Sequence, residues 1–209
     1  MTEDKLKDSH LFWNIEPFLT CKAHRNSFLA QNLVTSPLTL SLDKQCFQPH
    51  SENLNTLIIN KHNLTSIPND FCETFKNLCV LSIVEIVMTN STVFPSGISQ
   101  CKDLEIICIS DVQGMTTLSP DILMGPSLST FYLHSTPISK LDIDWPTGSL
   151  LSTLSLVGLQ LEIVPKNIGQ LFNLQELILD YNPIIDLPKE LESLVRLKTL
   201  SIKGQIYLN

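Results

Sequence analysis

The spacing of leucine and isoleucine constrains this chain more than any other feature. Aligned on the pattern L-x-x-L-x-L, the first leucines fall at Leu54, Leu78, Leu104, Leu128, Leu151, Leu174 and Leu197, at intervals of 24, 26, 24, 23, 23 and 23 residues. The fourth positions are Leu57, Leu81, Ile107, Phe131, Leu154, Leu177 and Leu200. The sixth are Ile59, Ile83, Ile109, Leu133, Leu156, Leu179 and Ile202. Every one of these slots is apolar. A period of this length marks a small supersecondary unit that cannot bury its apolar face alone and gains a shared core only by stacking on copies of itself.

The pattern inside each unit assigns the layers. Side chains alternate along a strand, so positions four and six share one face and turn towards the core. The strand ends before Ile67-Pro68, Phe94-Pro95, Val164-Pro165 and Leu187-Pro188, where proline removes no ladder hydrogen bond. An apolar residue then returns at Ile98, Ile122, Trp145, Ile168 and Leu191, with Phe71 and Phe75 serving the first unit. These residues are expected to cover the strands from outside through short helices or 3₁₀ turns. Leu57, Leu81 and Leu154 lying in the open would contradict this register.

These units resemble the leucine-rich repeat family. The stretch LQELILDYNPIIDLPKELESL, Leu174 to Leu194, matches the 23-residue form of that repeat at each signature position. The resemblance covers residues 54–209. It implies an α/β solenoid with a curved parallel β-sheet on the concave face and short helices or 3₁₀ turns on the convex face. The last units are similar to intracellular scaffolds of the Ras-signalling type. Asn53 to Leu81 resembles the opening repeats of plant nucleotide-binding immune receptors, although no G-x-x-x-x-G-K-[ST] loop occurs in the chain. The family pattern places Asn at the ninth position, where its amide satisfies backbone groups at the turn. Here that slot holds His62, Ile86, Val112, Thr136, Leu159, Asn182 and Gln205, and only Asn182 conforms. The other turns must satisfy their backbone in another way.

Residues 1–53 stand outside the repeat and read as an N-terminal capping region. Leu6, Leu11, Trp13, Ile15 and Phe18 suggest one helix, and Phe28, Leu29 and Leu33 a second. Leu38 to Leu42 alternates like a strand that pairs with the first repeat. Residues 54–209 form about seven units, the last incomplete. No cap follows the last strand, and a bare strand edge invites self-association.

Function is narrowed mainly by what the residues do not provide. The net charge of −7 offers no basic footprint for nucleic acid. No apolar run approaches the roughly 18 residues needed to span a bilayer. The charged start MTEDKLKDSH does not read as a secretory signal, so the expected location is cytoplasmic and the six cysteines are expected to be reduced. Without export, the glycosylation triplets at Asn63 and Asn90 would be inert. Cys21 with His24 and Cys46 with His50 have zinc-like spacing, but the separation of the two pairs is not that of a finger, and no metal or cofactor is assigned. The histidines are scattered, and no nucleophile with a base and an orienting acid can be placed by register. The reading is a non-enzymatic module that binds another protein.

The outward positions of the strands carry the candidate site. They contribute Ile58, Val84, Ile106, Tyr132, His134, Ile178 and Asp180, and the following eighth position adds Lys61, Glu85, Asp111 and Tyr181. Apolar and aromatic side chains concentrate interface energy, and the concave face of a solenoid is an extended binding surface. Isoleucine, valine and threonine also favour strands for their own sake, so the pattern leaves both reasons open. Glu85, Asp111, Glu176 and Asp180 favour a partner with basic groups. The resemblance implies a scaffold or adaptor in intracellular signalling, or the ligand-sensing part of a defence receptor.

Overall fold

A computed structural model describes residues 27–29, 39–40, 54–60, 63–64, 71–88 and 97–204 of the chain. Strands β1 (Ser27–Leu29), β3 (Thr56–Asn60), β5 (Val80–Val84), β7 (Ile106–Ser110), β8 (Thr130–His134), β9 (Thr153–Val157), β10 (Glu176–Ile178) and β11 (Thr199–Ser201) form one parallel eight-stranded sheet in chain order. The register is that of the repeat: Leu57 faces Leu81, Leu81 faces Ile107, Phe131 faces Leu154 and Leu154 faces Leu177. At each strand start, the carbonyl of position two accepts two N–H groups from the next rung. Asn55 O, for example, accepts from Cys79 N at 2.8 Å and Val80 N at 3.0 Å.

The core follows from this register. Positions one, four and six of the first six units are all buried, and Leu57, Leu81 and Leu154 are 0% exposed. The outer arc closes over them with helix α1 (Phe71–Thr74) and the 3₁₀ turns Ile98–Gln100, Lys166–Gln170 and Lys189–Ser193. Phe71 and Phe75 pack ring to ring at 4.7 Å, and Ile98, Ile122, Trp145 and Ile168 are buried as their positions require. Pro165 and Pro188 stand immediately before their 3₁₀ turns with extended backbone, where a missing N–H costs nothing. At β11 the pattern weakens. Leu200, on the edge strand of the described sheet and paired with β10 alone, is 44% exposed, against 0% for its counterparts Leu154 and Leu177.

The turns of the first three units, which lack asparagine, solve the backbone problem with a second ladder. Strands β2 (Thr39–Leu40), β4 (Asn63–Leu64) and β6 (Val87–Met88) form a smaller parallel sheet just past the main strands. Gln113 continues it: its N–H donates to Ile86 O at 2.8 Å, and its carbonyl accepts from Met88 N at 2.9 Å. Ile86 and Val112 are then free to fill the ninth position as core residues, and both are buried, as is Leu159 two units beyond the ladder. The ladder needs close approach. A β-carbon on Gly114, whose φ is +82°, would collide with the Met88 carbonyl oxygen. Asn182 performs the job the family pattern assigns. Its Nδ2 donates to Leu156 O at 2.7 Å and Leu179 O at 3.0 Å, and its Oδ1 accepts from Leu161 N at 3.4 Å.

Two expectations change and one holds. Phe28 and Leu29 belong to strand β1, not a helix, because Phe28 takes the register place opposite Leu57 and extends the main sheet into the segment read as a cap. The strand expected at Leu38 to Leu42 is present at Thr39–Leu40 and pairs with the first unit as expected, through β4 of the second ladder. Cys72 and Cys101 form a disulfide and are not reduced thiols. The outer arcs of consecutive units bring their Cα atoms to 4.9 Å, within the range a disulfide spans. Cys79 and Cys108 remain free thiols. The first expected helix, the Cys21/His24 and Cys46/His50 pairs, and Asn90 lie outside the described residues.

Candidate binding face

Positions three, five and seven of each rung point away from the core by strand alternation and form the concave face. The chain leaves this face at position eight through a left-handed turn in each described unit. Glu85, Asp111, Ser135, Gly158, Tyr181 and Gly204 have φ between 47° and 63°. In the first five of these the N–H still donates to the next rung, as from Asp111 to His134 O at 3.1 Å and from Tyr181 to Lys203 O at 2.7 Å. The turn therefore presents the position-eight side chain at the rim of the face. Tyr181, 41% exposed, lies against Gly204, where a β-carbon would collide with its ring.

The structure sorts the residues singled out from the sequence. Ile58, Val84, Ile106, Tyr132 and Ile178 are half-buried on the face, Asp111 is half-buried at its rim, and Glu85 and Tyr181 are exposed there. Val157 joins them in the same half-buried class. Lys61 lies outside the described residues. His134 and Asp180 are buried, at 7% and 4% exposure, and offer a partner little surface. The His134 Nε2 lies 2.8 Å from Ser155 Oγ, and Asp180 Oδ1 accepts from Lys203 N at 2.7 Å. Both side chains serve the sheet. Their burial was not legible in the sequence, since alternation gives direction and not the height of the neighbours.

Burial has electrostatic consequences. It pushes the His134 imidazole down to about 3, so this side chain is neutral near pH 7. Burial raises the Tyr132 phenol to about 12, and the Glu176 carboxylate adds to that shift, so the phenol stays protonated. The Cys108 thiol is raised to about 11 by burial and is a poor nucleophile. For His134 the sign is definite. Free histidine titrates near 6.5, so below that pH the unfolded chain binds a proton that the native state refuses. The stability contribution is complete above pH ~6.5 and falls as pH drops towards the native value of about 3. The expected loss at pH 5 is about 2 kcal/mol relative to pH 7. Denaturant midpoints at the two pH values should converge in His134→Gln. An equal gap in both proteins would refute the assignment.

Among solved structures, the leucine-rich repeat domain of the type III effector XopL is similar, with TM-score 0.55, 19% identity, and coverage of 76% of this chain and 63% of that one. The chain has the leucine-rich repeat fold. A second similar structure is a chain from the octameric complex of Latrophilin 3, Unc5D and the leucine-rich repeats of FLRT2. It gives TM-score 0.55, 20% identity, and coverage of 73% of this chain and 47% of that one. This chain thus spans less than two thirds of either leucine-rich repeat neighbour. No family model and no curated protein matches the sequence. Among the described residues, no helix of these repeats is long and apolar enough to cross a membrane.

Proposed function

We propose that this chain is a non-enzymatic module that binds another protein through its concave strand face, as a scaffold or adaptor in signalling. The observation that carries this reading is the run of half-exposed apolar and aromatic side chains, Val84, Ile106, Tyr132, Val157 and Ile178, on consecutive rungs of one sheet. A sheet rigidifies these groups in advance, so little side-chain entropy opposes docking. The second similar structure comes from a multi-protein complex, which supports a role in protein association.

Tyr132→Ala combined with Tyr181→Ala should weaken capture of a purified partner at least about tenfold while leaving the thermal midpoint within a few degrees, since truncated interface aromatics typically cost 1–2 kcal/mol or more. Unchanged capture would move the binding site off this face. The cytoplasmic residence read from the sequence stands in tension with the Cys72–Cys101 bond, because disulfides persist mainly in oxidising compartments. Thiol counting by alkylation and mass spectrometry on protein from its native cells decides between the two.

A further inference from the structure

The charges on the concave face are not evenly spread. Across the five rungs β5, β7, β8, β9 and β10, positions three, five, seven and eight include Glu85, Asp111, Glu176 and Asp180 and no lysine or arginine. Lysines occupy these positions only on the flanking rungs, at Lys61 before and Lys203 after. His134, the one remaining basic side chain within the five rungs, is held neutral by burial near pH 7. Asp180 is committed to the Lys203 backbone. Asp111, whose carboxylate also accepts from Ser110 Oγ, stands at one corner of the face, and Glu176 stands at the opposite corner, three rungs on and at the other end of the strand.

The line joining these corners passes over the middle of the face, where Tyr132 sits on the central rung at the central position. Glu176 lies two rungs from Tyr132 and two residues towards the strand start on the same side of the sheet, and its charge raises the Tyr132 phenol further. Strands lie about 4.8 Å apart and rise about 3.3 Å per residue, which makes the diagonal from Asp111 to Glu176 roughly 20 Å. An extended segment of about six or seven residues covers that length.

We propose that the partner segment is an extended, basic stretch of polypeptide lying diagonally across the concave face. One lysine or arginine meets Asp111, apolar side chains meet Val157 and Ile178, and a second cation meets Glu176 beside the Tyr132 ring. A guanidinium suits that last place because its stem packs on aliphatic surface and its plane stacks on an aromatic face. The inference rests on the concave-face reading and adds to it the chemistry of the occupant.

The test uses the full chain and a phage-displayed library of random heptapeptides. The expected result is selection of peptides bearing two or more lysines or arginines, bound more weakly as salt is raised. The double variant Asp111→Asn with Glu176→Gln should lower the affinity of a selected synthetic peptide about tenfold, mainly where its cations are retained rather than replaced by citrulline or norleucine. Asparagine tolerates the left-handed backbone at position 111, so this variant folds, and an unchanged circular dichroism melt checks it. Neutral or acidic peptides that still need Tyr132 and Tyr181 would overturn the charge assignment and leave the face intact. Peptides indifferent to both tyrosines would remove the face itself. Failure to enrich any peptide also overturns the proposal.

Discussion

Leu154→Ala is expected to lower the unfolding free energy by about 3–5 kcal/mol, and Leu177→Ala by about 2–4 kcal/mol, within the range for buried leucines. Both side chains are 0% exposed and occupy the fourth position of adjacent rungs. The difference lies in their neighbours. Leu154 is held between Phe131 and Leu177, both fully buried, so the cavity left by truncation has rigid walls. Leu177 has Leu154 on one side and the 44%-exposed Leu200 on the other, and β11 can relax towards the gap. The penalty for a cavity depends on how far the site collapses. Urea denaturation followed by circular dichroism measures both. A change below 1 kcal/mol in either would contradict the register, and equal costs would contradict the neighbour argument.

Asn182→Ala should cost about 3 kcal/mol, because a buried polar group stripped of its partner forfeits roughly 1–3 kcal/mol of solvation and several such groups are orphaned at once. The carbonyls of Leu156 and Leu179 and the N–H of Leu161 all face the Asn182 amide in a site that is 0% exposed. Asn182→Leu separates packing from hydrogen bonding, since Leu159 fills the same position one unit earlier. The leucine variant should remain destabilised by more than 1 kcal/mol despite its volume, because the bridge between Ile163 and Asp186 further along this turn leaves the Leu156 and Leu179 carbonyls and the Leu161 N–H to the Asn182 amide. A leucine variant as stable as the parent would show that the Asn182 bonds contribute nothing net.

The contrast between Asn182 and Ile86 shows where sequence reading runs out. The repeat pattern correctly located every main strand from Thr56 to Ser201, the buried positions one, four and six of the first six units, and the covering residues Ile98, Ile122, Trp145 and Ile168. It also showed that most turns had lost their asparagine. It did not show the replacement, because the β2–β4–β6 ladder is made by backbone groups whose pairing leaves little mark on side-chain identity. Strand β1 was hidden for a related reason. Its three residues, Ser27–Leu29, are too short for alternation to speak, and Phe28 became legible only as the neighbour of Leu57. Cys72 and Cys101 are 29 residues apart in sequence, and only the stacking of one outer arc on the next brings them together.

The candidate face divides in the same way. Alternation alone placed Ile58, Val84, Ile106, Tyr132 and Ile178 on the outward side of the strands, and the composition of that side was readable from the chain. What each side chain exposes was not. His134 and Asp180 share the alternation of Val84 and Val157, yet they are buried while the valines are half-exposed, because the height of neighbouring groups on adjacent rungs sets access. The sequence by itself determined the period, the direction of each side chain and hence the fold, since a periodic apolar pattern has few ways to hide from water. Only the tertiary structure decided which outward groups reach solvent, which turns use a second ladder and which cysteines meet, because those properties belong to contacts between rungs rather than to any one of them.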